Sequence, residues 1–319
     1  MTTIEWGLLI VNYLFLGGLS AGLFFVSGLA TYLQTDGQPA YPRIARYGAM
    51  MAPWPVAFGS FLLIFDLGNW YRFYKLFIHF KWHSPMSIGS WLLLVFNGIA
   101  FAYFWAWLPA EARAWLFARV PKRLAFLRRL DVDLSGYRRI LAMVGFPFSI
   151  GVGIYTGVLL GAVQARPFWN TNLVAQMFLF SALSSGCALL ILALSINRKA
   201  LDMRQLRFLY SLDIVFISLE FFIVLPYLIH GELSVLAVQE ALKLILGGPY
   251  TFAFWVVFMG MGLVLPLAIE LWEMVPTVMR QKEMHHNRPL AAGAALLILV
   301  GGYALRFIFV YAGQISAFH

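Results

Sequence analysis

Runs of apolar residues near bilayer-crossing length, about 20 each, alternate along this chain with short polar connections. Eight such runs are readable, at 5–33, 44–67, 87–108, 139–163, 172–196, 207–228, 249–275 and 290–312. The pattern predicts an all-α polytopic membrane protein, eight transmembrane helices packed as helical bundles in one integral membrane unit spanning 1–319. One stretch carries more than apolarity. Gly153, Gly157 and Gly161 recur four apart, which makes a smooth face for close approach of another membrane helix. Tyr155 sits among those glycines, and the run stops at the polar turn Ala165-Arg-Pro-Phe-Trp-Asn170.

Composition removes the alternative of a soluble domain. Hydrophobic residues make up 61% and charged residues 12%, with a mean hydropathy of +0.79; so few charges cannot cover a soluble fold of this size. A net charge of +9 would suit nucleic acid, but its placement reads as topology. Of the Lys and Arg residues, 17 fall in the loops after the first, third, fifth and seventh runs, from Arg43 to Arg288. Only five (Arg72, Lys75, Lys81, Arg166 and Lys243) fall on the other side. The positive-inside rule makes the richer side cytoplasmic, so both termini face the periplasm of a bacterial inner membrane. Neither a cleavable signal peptide nor a nucleic-acid partner is expected; the lipid bilayer is the expected surrounding.

The loops 69–86 and 233–246 mix aromatic or aliphatic residues with charge and read as amphipathic segments on the outer surface. The arginine-rich loop 109–137 marks anionic headgroups. Cys187 is the only cysteine, so no disulfide and no iron–sulfur cluster is expected within the protein. All six histidines fall in loops or at ends, whereas bis-histidine haem ligation needs them inside helices. No haem and no metal centre are therefore expected.

Polar groups inside spans are functional candidates by default. Placed along their helices at about 1.5 Å per residue, Tyr13, Tyr155 and Arg306 lie at a similar depth in the outer leaflet, with Asp66 at the outer end of the second run and Asn12 beside Tyr13. Each has a plainer reading: interfacial tyrosines, an Asp66 that is solvated or paired with Arg72, an arginine satisfied within the protein. Glu220 lies close to mid-membrane, and Asp213 is two turns nearer the cytoplasm on the same face. That pair suits a proton route with Tyr210 below it; the alternative is a neutral Glu220, or one paired with Arg306. Glu270 and Glu273, at the cytoplasmic end of the seventh run, read as solvated helix-end acids.

Four motifs in order resemble one known family. They are Tyr13-Leu-Phe-Leu-Gly-Gly-Leu-Ser-Ala-Gly22, Ser84-Pro-Met-Ser-Ile-Gly-Ser-Trp91, Tyr155 with Ala165-Arg-Pro-Phe-Trp-Asn170, and Leu305-Arg-Phe-Ile-Phe-Val-Tyr-Ala-Gly-Gln314. With the eight runs they are similar to the polysulfide-reductase-like membrane subunits, the NrfD/PsrC family. The resemblance implies a haem-free anchor that binds menaquinone or another quinone non-covalently in the periplasmic leaflet. It also implies a ferredoxin-like iron–sulfur subunit on the periplasmic face and a molybdopterin catalytic subunit, as in polysulfide, thiosulfate or tetrathionate reductases. Tyr155 matches the family's pocket tyrosine, Asp66 falls where some members have an acid, and Tyr13 stands where some have a histidine. On this reading Tyr155, Tyr13, Arg306, Asp66 and Asn12 surround the quinone, and Glu220 and Asp213 carry protons. The rival classes are a secondary transporter, for which Pro147, Pro226 and Pro266 would be the helix breaks, and an anchor that only tethers an enzyme.

Overall fold

The structure is a computed structural model describing residues 6–35, 37–66, 80–118, 132–196, 202–280 and 287–316, with single positions 71, 74 and 78. Eight helices among the described residues are long and apolar enough to cross a membrane. The first is α1 (Leu8–Tyr32), which ends at a hairpin of β1 (Gln34–Thr35) and β2 (Gln38–Pro39). Gly37 turns that hairpin at φ 75°, a left-handed conformation that glycine adopts without steric cost. The second span is broken into α2 (Pro42–Met51) and α3 (Pro53–Asp66). Prolines 53 and 55 cannot donate backbone hydrogen bonds there, and Ser20 of α1 donates its hydroxyl to the Ala52 carbonyl at the break, at 2.5 Å.

The third span, α4 (Pro85–Trp107), starts with Pro85 in the first turn and Ser84 as N-cap, whose oxygen accepts from the Ser87 N–H. A short helix, α5 (Ala110–Ala118), follows on the surface. Then come α6 (Arg138–Gly161), α7 (Leu173–Ile196) and α8 (Met203–Glu232), the last capped by Asp202. After α8 the backbone lays down α9 (Leu236–Leu246), which buries Ala241, Leu242 and Ile245 and leaves its polar side outward, as an amphipathic surface segment should. The seventh span begins as a π-helical stretch, Ala253–Val264, and continues as α10 (Leu265–Arg280) past Pro266; the eighth is α11 (Arg288–Ile315).

These helices form two groups. In front, α1 packs on α2, α3 and α6, and α4 closes against α6. Behind, α7 packs on α8 and α11, and α11 on the π-helical stretch. The groups share a seam where α1 and α7 cross at the backbone: a β-carbon on Gly22 or on Gly186 would overlap the other helix's main chain. The glycine face of α6 serves the same seam, since Gly157 lies against the Ala175 main chain of α7, 2.5 Å from where its β-carbon would be. Without a hydrophobic drive in lipid, such close packing is the main source of helix association.

The first and last described residues lie at one face. Gln314 exchanges hydrogen bonds with the Trp6 backbone, accepting at 2.6 Å and donating at 3.0 Å. Arg166 donates to the carbonyls of Gln314 and Ser316, and the Trp169 indole donates to the Phe309 carbonyl at 2.6 Å while stacking on Trp6. The Arg-Pro-Phe-Trp turn is thus a clamp that ties the α6–α7 connection to the C-terminal helix. Opposite this terminal face lies a basic face carrying Arg43, Arg46, Arg113, Arg138, Arg139, Arg204, Arg207 and Arg288 among the described residues.

Candidate functional site

In the half of the front group nearer the terminal face, four helices meet around two phenols. Tyr13 projects from α1 and is buried, its hydroxyl without a hydrogen-bond partner. Tyr155 projects from α6, is nearly buried and makes no hydrogen bond to any described group; the two rings are close enough to interact electrostatically. A glycine makes room for one of them. Gly89 of α4 lies directly beneath Tyr155, so that any β-carbon there would overlap the phenol ring. Gly59 of α3 faces the Tyr13 ring, 3.6 Å from the position a β-carbon would take. Buried hydroxyls normally find partners, so the orphaned Tyr13 hydroxyl, with the Tyr155 phenol in the same cluster, marks a place that can hydrogen-bond something else. Asp66 ends α3 near this level, but its side chain lies outside the described residues, as do Arg72 and most of the 69–79 loop.

Two expected members of the pocket point elsewhere. Asn12 accepts a hydrogen bond from Tyr303 of α11 at 2.8 Å. Arg306 is fully buried, but its guanidinium hydrogen-bonds the Ser181 hydroxyl at 2.5 Å, the Gly302 carbonyl at 2.8 Å and the Phe178 carbonyl at 3.1 Å. It also lies over the Phe178 ring and faces Glu220 electrostatically. The cause is the lean of helical side chains toward the helix N-terminus. Because α11 starts at the basic face, the guanidinium sits about a turn deeper than its Cα and enters the rear group. It meets the front group at Gly18 of α1, where a β-carbon would stand 3.3 Å from the guanidinium nitrogen Nη2. The next residue, Gly17, faces Tyr13, Val152 and Thr156. A two-glycine step in α1 therefore separates the phenols from the arginine.

Below Arg306 a file of acids runs toward the basic face. Glu220 comes first, buried, with Oε1 unpartnered and Ser181 beside it. Asp213 is next, buried, facing Ser184 and Glu270 with neither carboxylate oxygen in good hydrogen-bond geometry. Last are Tyr210 and Glu273: the Tyr210 hydroxyl donates to Glu273 Oε2 at 2.9 Å, and the Asn287 N–H donates to Oε1 at 3.2 Å.

Glu270 and Glu273 correct the expectation of solvated helix-end acids, since both are buried, Glu270 at 1% exposure and Glu273 at 5%. The signal was in the spacing. Tyr210 and Asp213 are three apart on α8, and Glu270 and Glu273 three apart on α10, so antiparallel packing matches them pair against pair. The hydroxyls of Ser181, Ser184 and Ser185, which line the file from α7, carry no comparable signal in an apolar run. Gly89, beneath Tyr155, was visible only as part of a motif.

Fold and site together define a multi-pass integral membrane protein with a phenol pair near one face and a buried acid file leading to the other. Comparison with known proteins gives the family. The model described as "Polysulphide reductase, NrfD" matches residues 1–317, and the protein belongs to that family. It is similar to the C subunit of the polysulfide reductase of Wolinella succinogenes, 31% identical over 98% of this sequence and 95% of that one. It is also similar to protein NrfD of Escherichia coli, at 29% over 98% and 96%. A more distant relative is the Hdr-like menaquinol oxidoreductase integral membrane subunit of Archaeoglobus fulgidus, at 25% over 84% of this sequence and 62% of that one.

Proposed function

We propose that this protein is the quinone- or quinol-binding membrane subunit of an oxidoreductase complex in a bacterial inner membrane, with the terminal face in the periplasm. The observation that carries the reading is a pair of phenols on facing helices, Tyr13 buried without a hydrogen-bond partner and Tyr155 seated on Gly89. A phenol both donates and accepts a hydrogen bond, so it can serve a quinone carbonyl and a quinol hydroxyl in turn. The names of the relatives support the class, one being called a menaquinol oxidoreductase subunit and another belonging to a polysulfide reductase. Sidedness follows from the arginines gathered on the basic face.

A bound menaquinol would supply two electrons and two protons; the protein's own part is to bind, orient and move protons. Tyr155, fixed on Gly89, holds one ring oxygen, and Tyr13 holds the neighbouring side of the head group. Asp66, at the outer end of α3, receives protons bound for the periplasm. Arg306 sets the field between the pocket and Glu220, and Glu220 and Asp213 carry protons exchanged with the opposite face. With a single cysteine, the protein leaves electron carriage beyond the pocket to an iron–sulfur partner on the terminal face and a molybdopterin catalytic subunit. Replacing Tyr155 with Phe should lower quinol-linked turnover on the order of a hundredfold, the scale of a lost proton-transfer group, while the complex still assembles. Turnover unchanged in an assembled Tyr155→Phe complex would remove the pocket.

A further inference from the structure

The rear group contains a feature that the quinone pocket does not use. Asp213 of α8, Glu270 of α10 and Ser184 of α7 converge in the interior, each less than a tenth exposed, and Asp213 Oδ1 and Oδ2, Glu270 Oε2 and Ser184 Oγ all lack hydrogen-bond partners. We propose that Asp213 and Glu270 form a proton-holding pair, loaded from the basic face past Glu273 and Tyr210 and discharging toward Glu220. The inference deepens the reading above and rests on it for the use of the proton; the pair itself stands on its own geometry.

The charges around the pair decide its occupant. Among the described residues, the groups that act on it electrostatically or lie beside it are Ser184 and Cys187 of α7, Tyr210 and Glu220 of α8, and Glu273 of α10. The one buried cation of α11, Arg306, is already engaged with Ser181, Phe178 and Gly302 and faces Glu220. Two carboxylates facing each other in a dry interior cannot both be ionised without a compensating cation. One proton held by the pair resolves this: one carboxyl is neutral and the other carries the charge.

The arrangement on either side fits loading and discharge. Toward the basic face, Glu273 accepts from the Tyr210 hydroxyl and the Asn287 N–H among the described residues, and lies one turn from Glu270 on the same helix face. Toward the interior, Ser184 and Ser181 are one turn apart on α7, and Ser181 adjoins Glu220. The Arg306 guanidinium closes the file and repels any cation moving farther toward the phenols. A sodium ion could take the same oxygens, and the test separates the two occupants.

Dicyclohexylcarbodiimide modifies neutral carboxyl groups in apolar surroundings. Membranes carrying the complete complex are treated with it, with sodium chloride or potassium chloride present, and the labelled peptides are read by mass spectrometry. The expected result is label at Glu270 or Asp213 with equal yield in the two salts, and the same label in the Tyr155→Phe complex. Absence of label at both positions overturns the pair, and protection by sodium but not potassium replaces the proton with a metal ion. Glu270→Gln should abolish proton uptake from the basic face during quinol turnover; uptake at the unaltered rate overturns the loading role. Because the label is read without turnover, failure of the quinone pocket would leave it in place.

Discussion

The front and rear helix groups solve the problem of polar atoms in a membrane in opposite ways. In the front group, the site near the terminal face centres on two neutral phenols, Tyr13 buried without a partner and Tyr155 seated on Gly89. In the rear group they are charged or chargeable, and they are strung through the interior from Arg306 to Glu273. Neutral hydroxyls cost far less to bury than charges do, which suits a site that receives a ligand from the membrane. Ionisable groups in lipid need one another, so the rear file is continuous where the front pocket is sparse. At Gly22 and Gly186 the seam between them is backbone against backbone, and Gly17 and Gly18 face the two sites in turn.

The sharpest way to break that division is to pry open the seam. A methyl group on Gly186 would run into the main chain of α1 at Gly22 and Leu23, which cannot swing aside as a side chain would. Overpacking of this kind typically costs about 1–3 kcal/mol, and more is expected where both obstacles are backbone. Gly186→Ala should therefore lower the thermal stability of the detergent-solubilised protein sharply. Gly98→Ala, on α4 with open space around its Cα, should be neutral or slightly stabilising. Equal melting temperatures for the two variants would mean that the groups do not depend on close contact.

Next in size is the charge balance of the rear group. Removing the guanidinium in Arg306→Leu strips donors from Ser181, Phe178 and Gly302 and leaves Glu220 without its nearest positive charge. Uncompensating a buried charge costs about 3–5 kcal/mol. Adding Glu220→Gln should restore much of that loss, which a double-mutant cycle on thermal stability reads directly. Strictly additive losses would show that Arg306 answers only to carbonyls and Ser181, and the rear file would end at Asp213.

How much of this could be read from the sequence varies by residue. Spans and seam were legible because apolar length and small-residue spacing are local properties: Gly153, Gly157 and Gly161 announce their face whatever packs on it. Depth along a helix was legible too, which is how Tyr13 and Tyr155 could be matched. Direction was harder. Arg306 and the phenols share a level by Cα position, but the backward lean of helical side chains takes the guanidinium a turn away and into the other group. Burial of Glu270 and Glu273 depended on which helix covers them, and an acid at the end of a span looks the same in sequence whether α8 shields it or water does.

A finer test asks whether the front pocket is shaped by its glycine or by its tyrosine. Gly89→Ala adds one methyl where the Tyr155 ring lies, so the phenol must turn out of the pocket. Quinol-linked turnover should fall as far as in Tyr155→Phe, on the order of a hundredfold. Combining the two substitutions should add little, because both act through one hydroxyl. Carboxyl labelling in the rear group should be untouched. Independent, multiplying losses would mean that Gly89 serves the fold rather than the phenol.

The smallest expected effect lies outside both groups and measures what a wet acid does. Asp133, on the basic face between α5 and α6, accepts from the Ser135 N–H at 3.0 Å and from the Arg113 guanidinium at 3.3 Å. The Ser135 hydrogen bonds first, then Arg113, hold its carboxyl below the ordinary value of 3.8. A lowered folded value contributes stability that is complete above the ordinary value and is lost as pH falls through the folded one. Nothing should change between about pH 8 and 5, therefore, and the loop should loosen only below about pH 4. Cleavage of that loop by an acid-active protease should accelerate on acidification in the native protein and lose that acceleration in Asp133→Asn. The effect is small because the pair is exposed and screened by water. If cleavage instead responded near neutral pH, a buried acid of the rear group would be controlling the loop, and the separation of dry file from wet surface would have to be redrawn.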